Sequence, residues 1–172
     1  MWYVIWTYTG REEQTRDLIE DRVPHDLYSR ISVPYMEKIE MIGKSRRIVQ
    51  KLMIPSYIFI DTDRVVELHE ALRKLNVFAN ILHNGELFLP LDGHDEFVIN
   101  KLTKDGDTVR ISHGFMDGDK VRITSGPLKG LDAYIKRVYP RKATAVIEMT
   151  VFDRSTEVKV GLEILKKPDD KE

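Results

Sequence analysis

The sequence predicts an α+β chain of two modules, an N-terminal α/β sandwich with a mainly antiparallel sheet and a C-terminal five-stranded β-barrel. Three observations carry this expectation. Strand-like and helix-like hydrophobic periods alternate up to residue 108, as in helices packed on a sheet. Beyond that point the helical period vanishes, and short alternating runs are separated by Gly, Pro and Asp, the rhythm of a small barrel. The charge changes sign at the same place. Residues 1–108 hold 14 Lys+Arg against 18 Asp+Glu, a balance of −4, whereas residues 109–172 hold 13 against 10, a balance of +3.

The elements follow in order. Trp2 to Tyr8 is aromatic and β-branched, the composition of a strand buried on both faces. Thr9 and Glu12 have capping-box spacing, and Leu18, Ile19, Arg22 and Val23 mark a helical stripe that Pro24 ends. Ser29 to Pro34 reads as a strand. Ile39, Met41 and Ile48 then alternate with charge around Gly43-Lys44, predicting a β-hairpin that projects into solvent. Tyr57 to Ile60 is a buried strand. Asp61, Thr62 and Asp63 precede a helix with Val65, Leu68, His69, Leu72 and Leu75 on one face. Val77–Leu82 and Leu87–Leu89 flank a turn at His83-Asn84-Gly85, and a last helix covers roughly Asp92 to Lys104. Residues 109–117 carry no strong period and read as a short linker. The barrel then spans 118–167, with strand breaks at Gly126-Pro127, Pro140-Arg141-Lys142, Asp153-Arg154 and Gly161, and 168–172 reads as a disordered tail.

Composition excludes several classes. Cysteine is absent, so disulfide scaffolds, thiolate metal sites and cysteine nucleophiles are ruled out. At 42% hydrophobic and 32% charged the chain has the balance of a folded soluble protein. WYVIW is too short to cross a bilayer, so a cytoplasmic protein with no membrane partner is expected. The histidines at 25, 69, 83, 94 and 113 have no metal-ligand spacing. Neither a nucleophile elbow, nor a P-loop, nor a Gly-rich dinucleotide turn is present, so the expectation is a non-enzyme without cofactor or metal.

The run GDKVRITSGPLKGLDAYIKRV, residues 118–138, resembles a KOW motif, with alternating Val121 and Ile123, then Gly126-Pro127 and Gly130. WYV near the N-terminus and IPSYIFI in the middle resemble the NGN domain of the NusG family. NGN followed by KOW covers nearly the whole chain. The resemblance implies an NGN sandwich over 1–108 and an SH3-like KOW barrel over 118–167. ISHGFMDGDKVRITSGPLKG is most similar to the specialised antiterminator paralogues called LoaP, and Ser56 stands where housekeeping members have Gly. His69-Glu70-Ala71 matches only the histidine of the His-Thr-Thr polymerase contact in the paralogue RfaH.

The resemblance also implies sites. Trp6, Ile54, Pro55, Tyr57, Phe59 and His69 correspond to the surface that binds the clamp helices of RNA polymerase. Read from the residues alone, Trp6, Ile54, Tyr57 and Phe59 are ordinary core, because alternate strand positions must fill an inner face. Lys44, Arg46 and Arg47 at the hairpin, with Lys51 nearby, and Arg11 and Arg16 on the first helix, are candidates for upstream or non-template DNA. His113, Lys120, Arg122, Ser125, Lys129, Arg141, Lys142, Phe152 and Arg154 are the candidate RNA contacts, with Lys136 and Arg137 among the basic residues nearby. The alternative for any of these charges is plain solvation. Phe152 and Arg154 equally match the place where KOW domains meet the protein partners NusE or Rho.

These features predict a monomeric elongation factor and processive antiterminator that holds polymerase through NGN and a nascent RNA hairpin through KOW. The alternative is a housekeeping NusG that couples polymerase to the ribosome or Rho. A ribosomal or chromatin-like KOW module is a third class. Pro127, Pro140, Gly161 and the Val, Ile and Thr content oppose refolding of the barrel into helices.

Overall fold

The opening run forms β1 (Trp2–Trp6). Trp2 to Ile5 are all buried, as expected for a strand covered on both faces. Helix α1 (Glu12–Arg22) follows, burying Thr15 and Ile19, with Val23 buried just beyond it. The chain continues through β2 (Arg30–Ser32), the hairpin β3 (Tyr35–Ile42) and β4 (Ser45–Leu52), and β5 (Tyr57–Asp61). Helix α2 (Val65–Arg73), short strands β6 (Asn80–Ile81), β7 (His83–Asn84) and β8 (Leu87–Phe88), and helix α3 (Gly93–Leu102) come next. The rest is β9 (Thr108–Val109), β10 (Ser112–Asp117), β11 (Lys120–Ser125), β12 (Ile135–Tyr139), β13 (Thr144–Val151) and β14 (Arg154–Ile164). This computed structural model describes residues 1–151 and 153–168.

Two compact units emerge. The first holds Met1–Pro34, Ile54–Phe97 and Thr150–Ser155, and the second holds Tyr35–Met53, Val98–Met149 and the described chain from Thr156 onward. The first unit is built on an antiparallel sheet of order β2-β5-β1-β6. Ile5, Ile58, Phe59, Ile60 and Ile81 fill it, and Ile19, Leu68 and Leu72 bring α1 and α2 onto the core. The second unit contains a sheet of order β4-β3-β9 and a curled five-stranded sheet of order β11-β10-β14-β13-β12. Val146, Ile147, Met149, Val158, Val160, Leu162, Leu128 and Leu131 are buried in it.

Several local expectations change. The hairpin turns at Gly43-Lys44 with Ile42 opposite Ser45, as the sequence predicts. It does not simply project, however: β3 pairs in parallel with β9, and Glu37 Oε2 accepts the Ile111 N–H at 3.1 Å. The expected linker contains β10, which pairs antiparallel with β11 and parallel with β14. Gly161 does not break a strand but lies inside β14, where a Cβ would meet the Glu37 carbonyl oxygen at 2.5 Å. The residue is small because backbone approaches it closely, so the last two expected strands are one.

The helix starts also differ in detail. Thr9 does not cap α1; its hydroxyl pairs with that of Ser56 at 2.5 Å, while the Glu12 carboxylate accepts the Gly10 N–H at 2.8 Å. Before α2 the cap-like acceptor is Thr62, whose Oγ1 takes the Arg64 N–H at 2.8 Å. Asp92 Oδ1 accepts the Asp95 N–H at 2.8 Å and starts α3.

Candidate functional site

In the first unit, antiparallel pairing sets Trp6 opposite Tyr57 and Val4 opposite Phe59. Directly opposed residues share a face, so these four side chains lie on one side of the sheet. Burial along that face is graded. Phe59 has no exposure and Ile54 is 6% exposed, so both belong to the core, whereas Tyr57 is half-buried and Trp6 is 47% exposed. Pro55 is exposed beside them. Phe78 packs edge-on against Trp6 at 5.1 Å between ring centroids and tilted against Tyr8 at 4.9 Å. Tyr8 is 66% exposed. The result is a surface cluster of large aromatic rings, the residue class that dominates binding hot spots. Sequence reasoning missed Tyr8 and Phe78, although their placement just after β1 and before β6 could have suggested them.

The entry to β5 is held by a buried carboxylate. Ser56 adopts φ +72°, a left-handed conformation that favours glycine. Its N–H donates to Glu12 Oε1 at 2.7 Å and its carbonyl accepts the Thr7 N–H at 2.9 Å. His69 sits on α2 with its ring 4.9 Å from Phe88. Its Nδ1 is buried without a hydrogen-bond partner among the described residues, and burial pushes the imidazole pKa down. Arg11 is exposed and donates to Gln14 at 3.0 Å, whereas Arg16 is engaged by Asp17 at 3.0 Å.

In the second unit, the basic hairpin divides. Lys44 and Arg47 are exposed with no ion pair among the described residues. Arg46 pairs with Glu163 on β14, and Lys51 pairs with Glu40 at 2.6 Å. Glu163 also lies 3.3 Å from His113 Nε2. The Arg46 guanidinium, and then His113, hold the Glu163 carboxyl below its usual range. Arg46 and His113, assigned to different nucleic acids from the sequence, thus share one carboxylate.

The loop after β11 is fixed by buried Leu128 and Leu131 and by Ser112, whose Oγ accepts the Leu128 N–H at 3.0 Å. Gly126 has φ +96°, and a Cβ there would meet Ser112 Cα at 2.6 Å, so backbone freedom and close approach both require glycine. Ser125 and Lys129 are exposed, with Ser125 Oγ 3.5 Å from His113 Nδ1. Lys120 is exposed, and Arg122 lies 3.9 Å from Asp117. Lys136 and Arg137 are taken up by Glu148 and Glu157. Arg141 and Lys142 occupy one turn after β12 and have no ion pair among the described residues. Lys101, Lys104 and Arg110, which the sequence did not single out, line the same groove as Ser125 and Lys129. Arg154 is exposed but falls in the first unit, and Phe152 lies outside the described residues, as does the expected tail beyond Pro168.

One group has metal-like geometry. Asp92, His94 and Asp95 bring their ligand atoms within 4.8 Å of one another. Asp95 is buried and accepts the Thr150 N–H at 2.6 Å, so the group already serves the fold. No helix among the described residues is long and apolar enough to cross a membrane.

Residues 1–99 match the family model described as transcription termination factor nusG, and residues 118–148 match the KOW motif. The transcription termination/antitermination protein NusG of Buchnera aphidicola is 26% identical over 96% of this chain and 95% of its own length. That of Escherichia coli K12 is 23% identical over the same shares, and that of Helicobacter pylori is 24% identical over 92% and 93%. A solved structure concerned with domain interaction in Thermotoga maritima NusG has a TM-score of 0.56 at 23% identity, covering 93% of this chain and 92% of that one.

Proposed function

Because this chain belongs to the NusG family of transcription termination/antitermination factors, we propose that it binds RNA polymerase through the exposed aromatic cluster of its first unit and nascent RNA through its basic second unit. The observation that carries the polymerase contact is the pairing of exposed Trp6 with half-buried Tyr57, extended by Phe78 and Tyr8. Such rings supply large contact area with little side-chain entropy to lose. Pro55 lies beside the contact, Ile54 and Phe59 support it from the core, and His69 on α2 is assigned to the same polymerase surface by the family resemblance. Clamp helices of the polymerase are the natural counterpart. By holding them the factor disfavours the open, paused enzyme. It acts as a cytoplasmic, monomeric, non-enzymatic protein.

Within the family we read the chain as a specialised processive antiterminator of the LoaP type. Support comes from Ser56 at a position whose φ favours glycine, and from cations of the second unit left without carboxylate partners among the described residues. Holding a transcript hairpin raises the local concentration of factor at one operon. His113, Lys120, Arg122, Ser125, Lys129, Arg141, Lys142, Phe152 and Arg154 remain the RNA contacts under this proposal, and Arg11, Arg16, Lys44, Arg46 and Arg47 those to DNA, with Arg46 the weaker for its pairing with Glu163. A second reading, a housekeeping factor whose KOW domain binds NusE or Rho, is favoured by the plain NusG name of the relatives.

The test is a reconstituted elongation complex. The full chain should form a complex with core polymerase and suppress termination on a template carrying its leader RNA. Failure to bind polymerase sinks the proposal, and antitermination independent of leader sequence transfers support to the housekeeping reading.

A further inference from the structure

A cleft of about 620 Å³ in the second unit combines an aromatic ring, unpaired cations and an apolar wall. Its size falls within the ~300–1,000 Å³ typical of small-ligand sites. Tyr139 ends β12 and is 38% exposed, and the Lys142 ammonium sits 5.8 Å from its ring centroid. Arg141 and Lys159 also line the cleft, and none of these three cations has an ion pair among the described residues. The two carboxylates in the lining are already committed. Glu157 is taken by Arg137, and Glu40 by Lys51 and Lys38. Ile39 and Met41 of β3 contribute the apolar wall.

The backbone supports the same place. Ala143, at the end of the Pro140–Lys142 turn, has φ +46° and is buried. A left-handed alanine is strained. It persists because the Ala143 N–H donates to the Pro140 carbonyl at 3.1 Å and its own carbonyl accepts the Leu162 N–H at 2.9 Å. The turn that carries Arg141 and Lys142 is therefore fixed at both ends of this residue.

We propose that this cleft captures an unpaired nucleotide of single-stranded RNA, with the base stacked at Tyr139 and the flanking phosphates held by Arg141, Lys142 and Lys159. An aromatic face accepts any base, and neighbouring cations neutralise the backbone. A duplex cannot enter in this way, because its bases are already stacked and paired. The inference rests on the RNA-binding reading above and names the part of the transcript that the second unit takes.

Fluorescence anisotropy of the full chain with a labelled single-stranded RNA of roughly ten nucleotides, and with a blunt duplex of the same sequence, tests it. The single strand should bind more tightly than the duplex. Tyr139→Phe should retain affinity, while Tyr139→Leu should weaken it roughly fivefold to a hundredfold. Lys159→Gln should weaken binding and reduce the salt slope by about 0.7. Circular dichroism checks that each variant is folded, and the Phe variant separates lost stacking from lost packing. Binding by the wild type that is indifferent to Tyr139→Leu, or preference for the duplex, overturns the inference and leaves RNA binding elsewhere in place. Absence of binding to either RNA overturns the inference, while the reading above stands or falls on the leader hairpin.

Discussion

The backbone N–H of Ser56 donates to Glu12 Oε1 at 2.7 Å, so a buried carboxylate on the first helix fixes the residue that leads into β5. The same carboxylate accepts the Gly10 N–H through its other oxygen. Removing it leaves two partly buried donors unsatisfied. Glu12→Ala should lower stability by about 1–3 kcal/mol per orphaned donor at most, read as a drop in urea midpoint, and Glu12→Gln should recover part of the loss. Because Ser56 is left-handed, Ser56→Gly should be within about 0.5 kcal/mol of wild type, whereas Ser56→Val should lose roughly 1–3 kcal/mol. A stable valine variant would refute this account of the loop.

Trp6 and Tyr57 face each other across β1 and β5, so their contributions to polymerase binding should be coupled. Each alanine substitution should weaken binding at least tenfold, about 1.4 kcal/mol or more. The double variant should fall short of the product of the two. Phe59→Ala lies on the same face but in the core, and should instead cost roughly 3–5 kcal/mol of stability. Equilibrium binding at matched folded fractions separates the two effects.

His69 predicts an acid-sensitive first unit. Burial lowers its folded pKa below the ordinary histidine value of about 6.5. Between the two pKa values the unfolded chain binds more protons, so stability falls as pH drops below about 6.5 and levels off below the folded pKa. His69→Phe keeps an aromatic ring against Phe88 and should flatten that dependence. Denaturation midpoints from pH 7.5 down to 5, about that window, give the readout, and an unchanged slope would count against it.

Glu163 gives a dependence of the same sign at lower pH for the opposite reason, its charged form being favoured rather than penalised. Its folded pKa is held below 4.5, first by Arg46 and with a smaller contribution from His113. The stability it contributes is present above the unfolded value and lost as pH falls through the folded one. Arg46→Gln should move the Glu163 carboxyl back toward its usual range, as followed by NMR titration.

The hairpin cations should separate in a DNA assay. Lys44→Gln and Arg47→Gln should each weaken binding to an upstream duplex and reduce the salt slope by about 0.9. Arg46→Gln should change that slope less, because Glu163 already occupies its guanidinium.

Much of the architecture is legible in the sequence, for identifiable reasons. The first strand and α2 announce themselves through local hydrophobic period, which needs no knowledge of distant partners. β10 does not, because Ser112 to Asp117 alternates weakly and one of its partners, β14, is a parallel strand far along the chain. Gly161 looks like a break until Glu37 is seen against it. At the candidate site, residue type alone reads Trp6, Tyr57 and Phe59 as core and the family resemblance groups all three as surface, so only register and burial separate the exposed Trp6 and half-buried Tyr57 from the buried Phe59. Charge counting found Arg46 and could not find Glu163, which lies 117 residues away.

The parallel pairing of Tyr35 and Met36 with Thr108 and Val109 bears on how the protein can be recombined with its relatives. A chimaera joined between 108 and 109 cuts through β9 itself. The transplanted C-terminal part would arrive without Tyr35–Met53, which belong to its own compact unit, and with the surface at Gly161 stripped of the Glu37 backbone that demanded a glycine. Exchange of the second unit between relatives therefore requires moving the hairpin together with the curled sheet, as one piece.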